Sequence, residues 1–217
     1  MVYAKRVVFT EDDTCLSYLN DKILKGIDNN EFTGLILIDL QKAFDTIDHK
    51  ILLGKLSVMG FSKESISWFK SYLTNRSFLV IVDNAYSSTC EIKCGVPQGS
   101  ILGPLLFLLY VNDMQQAVKN DLLLYADDSC LAYTSKDVKY IEQNLNKDFN
   151  SIIEWLVDNK LSIHLGKDKT KYILFVNKIV IKHQHNLEIN YGNVKVEQYD
   201  SVEYLGCRGS SMSFNSF

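Results

Sequence analysis

Three aspartates stand where a chain could do chemistry with them. Asp39 follows the apolar run Leu35-Ile36-Leu37-Ile38, and Asp127-Asp128 separates two apolar arms within Leu122 to Tyr133. The first pattern is that of a strand buried on both faces, and the second is that of a hairpin. Adjacent aspartates within a regular strand would point to opposite faces. A tight turn relaxes that rule, and one or both can then lean toward a neighbouring strand's end. If these strands pair, three carboxylates meet at one edge of a sheet. Close anions raise one another's pKa, and divalent cations remove the penalty. Mg2+ takes hard oxygen ligands and keeps several waters, so phosphate oxygens can complete its shell. Two such ions about 3.5–4 Å apart can activate a hydroxyl and stabilise the leaving oxygen of an in-line phosphoryl transfer. Each feature alone has a plainer reading, because Asp-Asp is good turn chemistry and an aspartate can simply end a strand.

The elements that must position these groups mix helical and extended patterns, which points to an α/β or α+β domain. Asp12 to Asn29 carries Leu16, Leu19, Ile23 and Leu24 at helical spacing. Asp48 can cap a helix with Ile51, Leu52 and Leu56 on its core face and Gly60 at its end. Ser62 begins another, with Ile66, Phe69 and Leu73. Phe78 to Val82 and Cys90 to Val96 are β-prone, and Pro104 suits the first turn of an apolar helix running to about Tyr110. From Ser135 an amphipathic helix is expected, with Val138, Ile141, Leu145, Phe149, Ile152 and Leu156 in one stripe. Extended patches follow at Tyr172 to Val176 and Val202 to Leu205.

Composition narrows the class. The 217 residues are 47% hydrophobic and 23% charged, as in an ordinary globular protein. The apolar run Pro104 to Val111 is too short to span a bilayer, and the N-terminus lacks a secretory pattern. An intracellular protein is expected, without a choice between nucleus and cytoplasm. The formal charge of −3 does not advertise nucleic-acid binding, although Lys167, Lys169, Lys171, Lys178 and Lys182 set a basic stretch against a more acidic first half. The five cysteines have no zinc-ligand spacing and read as reduced and structural.

The words around the carboxylates carry a resemblance. Leu37-Ile38-Asp39-Leu40-Gln41-Lys42-Ala43-Phe44-Asp45-Thr46-Ile47-Asp48-His49 resembles the first palm motif of reverse transcriptases of non-LTR, jockey-like retrotransposons. Gly95-Val96-Pro97-Gln98-Gly99-Ser100-Ile101-Leu102-Gly103-Pro104-Leu105-Leu106-Phe107 is similar to the second, and Tyr125-Ala126-Asp127-Asp128 to the catalytic tetrapeptide. Tyr110-Val111-Asn112-Asp113 and Trp155…Asn159-Lys160-Leu161-Ser162 follow the family's order.

The resemblance implies an α+β right-hand polymerase palm, a ferredoxin-like sheet backed by helices, with partial fingers and the thumb missing. It implies two Mg2+ ions, with Mn2+ as a substitute, held by Asp39, Asp127, Asp128 and the carbonyl of Leu40. Phe44 would then exclude a 2′-hydroxyl beneath the incoming sugar, or else be a core aromatic. Gln98, Gly99 and Tyr125 would line the nucleotide pocket. Lys169 would neutralise or protonate the leaving pyrophosphate. The segment before it, Leu161-Ser162-Ile163-His164-Leu165-Gly166, is longer than the family's commonest form, so Lys167 and Lys171 compete for that role. Arg76 would meet a template phosphate, and Tyr204-Leu205-Gly206 resembles the primer-grip turn.

The implied partners are an RNA template, a DNA primer and deoxynucleoside triphosphates, with no membrane; oligomeric state is not legible. The expected organisation is a partial reverse transcriptase domain over residues 1–207 and a serine-rich tail, 208–217, that is disordered or aberrant. Three functions are weighed. They are an RNA-directed DNA polymerase fragment, a catalytically inactive retrotransposon remnant binding at most RNA or protein, and a metal-dependent phosphohydrolase. The last leaves the contexts of Phe44 and Gln98-Gly99 unexplained.

Overall fold

The computed structural model describes residues 12–125, 128–166, 169–176, 186–199, 201–204, 207–210 and 213–214. In chain order they form α1 (Asp12–Asp28), β1 (Phe32–Asp39), a 3-10 turn (Ala43–Asp45), α2 (His49–Val58) and α3 (Lys63–Leu73). Four two-residue strands follow: β2 (Ser77–Phe78), β3 (Ile81–Val82), β4 (Ala85–Tyr86) and β5 (Cys90–Glu91). Then come α4 (Leu102–Val111), a second 3-10 turn (Met114–Ala117), β6 (Asp121–Tyr125), β7 (Asp128–Ser135), α5 (Val138–Asp158) and β8 (Lys171–Phe175). The remaining strands are β9 (Asn190–Tyr191), β10 (Val194–Lys195), β11 (Glu197–Gln198), β12 (Ser201–Tyr204), β13 (Cys207–Ser210) and β14 (Ser213–Phe214). The last two lie where the sequence shows no periodicity. They pair in a three-stranded sheet of order β12-β13-β14.

The chain forms two compact units. The first takes the described residues of Met1–Gln41, Asp113–Val157 and Ser162–Phe217. Its centre is a five-stranded sheet of order β11-β8-β1-β7-β6, antiparallel except between β11 and β8. Because side chains alternate along a strand, the register sorts the core into two layers. Leu35, Leu37, Cys130, Ala132, Ile173 and Phe175 share one face and pack with Leu19 and Ile23 of α1. Gly34 belongs to the other face, where a Cβ would stand 2.7 Å from Ile141 and 2.9 Å from Leu145. The missing side chain lets α5 sit close to the sheet.

α5 begins at Val138, not at Ser135, because Ser135 is still paired in β7 with Phe32. Asp137 supplies the helix start instead, its carboxylate accepting from the Lys139 amide at 2.9 Å. A carboxyl group of α5 is buried. Asp148 is 2% exposed and accepts from the Tyr133 hydroxyl at 3.0 Å, while Asn120 donates to the same hydroxyl. Burial, then the neighbouring Asp148, pushes the Tyr133 hydroxyl well up, so the tyrosine stays a donor.

The second unit comprises Lys42–Asn112 and Asp158–Leu161. Its core is Ile47, Leu52, Leu56, Leu73, Val96, Leu106, Phe107 and Tyr110. Asp48 caps α2 by accepting from the amides of Lys50 and Ile51, and Ser62 caps α3 through Ser65. Tyr110 donates to the Asn159 carbonyl at 2.6 Å, and Lys160 meets Asp48 at 2.7 Å. These two contacts fasten the short returning segment to the unit. The β-prone stretch Cys90 to Val96 is a strand only at Cys90–Glu91. The amides of Gly95 and Val96 bond instead to the carbonyls of Ile47 and Phe44. Asp83 and Asn84 both have positive φ, the geometry of a two-residue hairpin turn between β3 and β4. Among the described cysteines, Cys130 is buried in the sheet's core, while Cys90 and Cys94 are exposed thiols.

Candidate active site

Asp39 is the last residue of β1 and the direct partner of Asp128 across the antiparallel pair. Directly opposed residues in such a pair project from the same face. The two carboxylates therefore leave the sheet on the face that carries Leu35, Leu37, Cys130 and Ala132. Asp128 is also the partner of Tyr125. Asp128 is therefore a strand residue, the first of β7. Asp127, one of the expected ligands, lies outside the described residues, and so does the side chain of Tyr125.

On its other edge, β1 continues into a short second pairing. Leu40 bridges Ile163, and the Gln41 amide donates to the Ser162 carbonyl at 2.8 Å. The His164 amide donates to the Asp39 carbonyl, also at 2.8 Å. This register sets His164 directly opposite Asp39. The return bond, from the Asp39 amide to His164, is replaced by Thr170. Its hydroxyl accepts from the Asp39 amide at 3.2 Å, and its own amide donates to the His164 carbonyl at 3.1 Å. Thr170 is 5% exposed. The loop between, closed by Lys169 N–H to Gly166 O at 3.1 Å, returns a lysine to the carboxylate: Lys169 Nζ is 3.1 Å from Asp39 Oδ2. His164 Nδ1 is 3.7 Å from the same oxygen.

Of the two described lysines among the three that compete in the sequence, Lys169 is the one at Asp39. Lys171 stands over the Tyr199 ring at 5.2 Å, and Lys167 lies outside the described residues. His164 and Thr170 carry no local signal. Their roles follow from the pairing of residues 39–41 with 162–164, which separates in sequence what it joins in space.

The remaining expected site residues belong mostly to the second unit. Phe44 is half-buried, in the 3-10 turn, with its ring 4.7 Å from that of Phe107. It is a braced aromatic rather than a fully enclosed one. Gln98 is exposed and donates through Nε2 to Asp45 Oδ1 at 2.6 Å, and Gly99 follows with φ 75°. Gln98 lines a pocket of about 420 Å3 together with Asp45, Arg76, Lys93 and Cys94. Arg76 is exposed, donates to the Tyr72 carbonyl at 2.6 Å and stacks over the Tyr72 ring at 4.6 Å. Leu40, expected to offer its carbonyl, is buried in the first unit. Tyr204 pairs with Cys207; Leu205 and Gly206 lie outside the described residues.

The donors that are present suit a hard cation. Two carboxylates are cross-strand neighbours, and hard oxygen donors of this kind are what Mg2+ takes; an ammonium group stands 3.1 Å from one of them. Among the described residues, no trio of His, Cys, Asp or Glu side chains is grouped as a metal site. A third carboxylate would come from Asp127.

Comparison with known proteins agrees with this architecture. Residues 9–208 match the family model described as reverse transcriptase (RNA-dependent DNA polymerase). The probable RNA-directed DNA polymerase from transposon BS of Drosophila melanogaster is 31% identical over 196 residues, 87% of this chain and 21% of that protein. The RNA-directed DNA polymerase from mobile element jockey of Drosophila funebris is 34% identical over 152 residues, 66% of this chain and 16% of that protein. The chain thus spans about a fifth of the length of these relatives. Among solved structures, apo telomerase from Candida tropicalis superposes with a TM-score of 0.60 at 14% identity, covering 94% of this chain and 35% of the telomerase chain. That likeness shows the fold, a reverse transcriptase palm. By the extent of the family match, this chain belongs to the reverse transcriptase (RNA-dependent DNA polymerase) family.

Proposed function

We propose that this chain is the catalytic core of an RNA-directed DNA polymerase, adding deoxynucleotides to a primer 3′-hydroxyl along an RNA template. Enzymes of the family generally work with divalent metal ions. In this reading Asp39, Asp127 and Asp128, with the Leu40 carbonyl, hold two Mg2+ ions, for which Mn2+ can substitute. The bound ions supply Lewis acidity to the attacking hydroxyl and to the leaving oxygen. The chain's own groups do the rest. Thr170 and the His164 amide fix the Asp39 main chain, so that its carboxylate keeps one direction. Lys169 neutralises charge on the departing pyrophosphate or donates a proton to it. Phe44, braced by Phe107, excludes a ribose 2′-hydroxyl, and Gln98 with Gly99 orients the nucleotide. Arg76 meets template phosphate, and residues 204–206 contact the primer.

The observation that carries the proposal is the register: Asp39 and Asp128 are opposed on one face of one sheet end, with Lys169 at the carboxylate. Primer extension on an RNA template with Mg2+ or Mn2+ tests it, comparing the chain with Asp39→Asn and Asp127→Asn. Extension by the unaltered chain that both substitutions abolish is the expected result. No extension at low salt and high protein concentration would defeat the polymerase assignment for this chain.

A further inference from the structure

Gln98 is the second residue of a turn that its neighbours close. The Ser100 amide and hydroxyl both donate to the Pro97 carbonyl, at 3.3 and 2.7 Å. Gly99 supplies the positive φ, 75°, that a type II turn needs at its third residue. The base of the same loop is tied to residues 44–47 by the amides of Gly95 and Val96. The main chain around Gln98 is thus held on both sides, and its long side chain is what remains to be fixed. Asp45 fixes it. Gln98 Nε2 donates to Asp45 Oδ1 at 2.6 Å, although 53 residues separate the two. A carboxylate only accepts, so it settles which end of the amide it holds. Nε2 is bound, and Oε1 is left as the free end. Asp45 is itself placed by main-chain bonding: its amide donates to the Lys42 carbonyl at 2.9 Å, within the 3-10 turn that carries Phe44.

We propose that Asp45 is a positioning residue for Gln98, holding its amide in one rotamer so that Oε1 is left to accept from a donor group of the incoming nucleotide. The inference rests on the reading of Gln98 as a residue that orients the nucleotide. Its physical content is preorganisation. A glutamine already held has little rotamer freedom to lose when the ligand arrives, so that cost is removed from binding. Asp45 does this against its own charge, because an anion near an anionic ligand repels it. Removing the carboxylate therefore gives opposite signs for the two ways it could act. Direct repulsion of the triphosphate predicts tighter binding without it, and action through Gln98 predicts weaker binding.

The probe is dTTP, titrated into the isotope-labelled chain and followed by nuclear magnetic resonance, with folding checked by far-ultraviolet circular dichroism. The Gln98 side-chain amide is identified by its loss in Gln98→Ala, and its relaxation in the free chain reads whether it is held. Asp45→Ala is expected to free that amide and to weaken dTTP binding about fivefold. Gln98→Ala is expected to weaken it at least as much, and the double variant no further, because Asp45 acts through Gln98. Asp45→Asn keeps an acceptor oxygen without the charge and is expected to restore most of the affinity. A Gln98 amide as ordered in Asp45→Ala as in the unaltered chain overturns the proposal. So do unchanged or tighter dTTP binding in that variant, additive losses in the double variant, and an Asp45→Asn no better than Asp45→Ala. Gln98→Ala keeps the two failures apart. If it binds dTTP as the unaltered chain does, or if the unaltered chain binds none at millimolar concentration, the nucleotide reading of Gln98 fails and this inference falls with it.

Discussion

Gly95 and Gly99 flank the Pro97-Gln98 pair, and both have positive φ, 84° and 75°. Replacing either by alanine puts a Cβ on a left-handed residue, which costs roughly 1–2 kcal/mol. Their surroundings then separate them. At Gly99 nothing lies within 4 Å of the new atom. At Gly95 it would meet the carbonyl oxygen of Asp45 at 2.7 Å and its carbonyl carbon and Cα at 2.9 Å. Those are backbone atoms with no rotamer to yield.

Relief at Gly95 requires the strand-like contact between residues 95–96 and 44–47 to part. That contact consists of the Gly95 amide on Ile47 O at 2.8 Å and the Val96 amide on Phe44 O at 2.9 Å. On the other side, His49 Nε2 donates to Gly95 O at 2.7 Å. Overpacking of this kind costs about 1–3 kcal/mol, and each lost hydrogen bond about 0.5–1.5. Gly95→Ala should therefore destabilise by about 3–5 kcal/mol and Gly99→Ala by about 1–2 kcal/mol. Urea unfolding followed by circular dichroism separates them. With m about 2 kcal/mol/M, the midpoints should differ by about 1 M. Equal midpoints would refute the claim that the Gly95 contact, and not φ alone, makes glycine necessary there.

Asp48 and Thr170 supply two further tests. The Asp48 carboxylate lies below its ordinary value of 3.8, chiefly because Lys160 bonds to it, against a burial effect that raises it, and with help from the amides of Ile51 and Lys50. A depressed folded pKa gives stability that is present in full above the unfolded value and lost as pH falls through the folded one. Between pH 7 and pH 3 the unaltered chain should lose more urea resistance than Asp48→Asn, which keeps a capping oxygen without the charge; parallel losses would remove Asp48 from the acid response. Thr170→Val keeps the shape and deletes the acceptor for the Asp39 amide. It should cost about 1–3 kcal/mol, as an unsatisfied buried donor does, and speed hydrogen exchange at the Asp39 amide. Unchanged protection there would show that the hydroxyl does not hold the strand end.

How much of this was legible follows from the range of each signal. Local patterns sufficed for the apolar run ending in Asp39, for the Asp48 and Ser62 caps and for the stripe on α5, because each is set by residues within a turn or two. Boundaries were less visible. β1 starts at Phe32 because Thr33 and Gly34 pair on both edges, with Thr134 and Tyr133 on one side and Phe175 and Leu174 on the other. Neither residue looks apolar enough to announce a buried strand. Cys90 to Val96 has β-prone side chains, yet a glycine with positive φ and bonds to residues 44–47 make most of it a loop. Nothing local could have marked His164 or Thr170, since their importance is that of partners more than 100 residues away from Asp39.

The candidate site is in this sense a consequence of the core. A one-residue slip between β1 and β7 would turn either Asp39 or Asp128 to the opposite face. What resists the slip is not the pair of carboxylates, which repel one another, but the apolar residues behind them. Leu35 and Leu37 must meet Ala132 and Cys130 under Leu19 and Ile23, and each buried leucine or isoleucine contributes about 1.5–3 kcal/mol. The repulsion at the strand ends is carried by that packing and eased by Lys169. A chain built this way can hold two carboxylates together at one sheet end, because the hydrophobic layer beneath them fixes the register that sets them side by side.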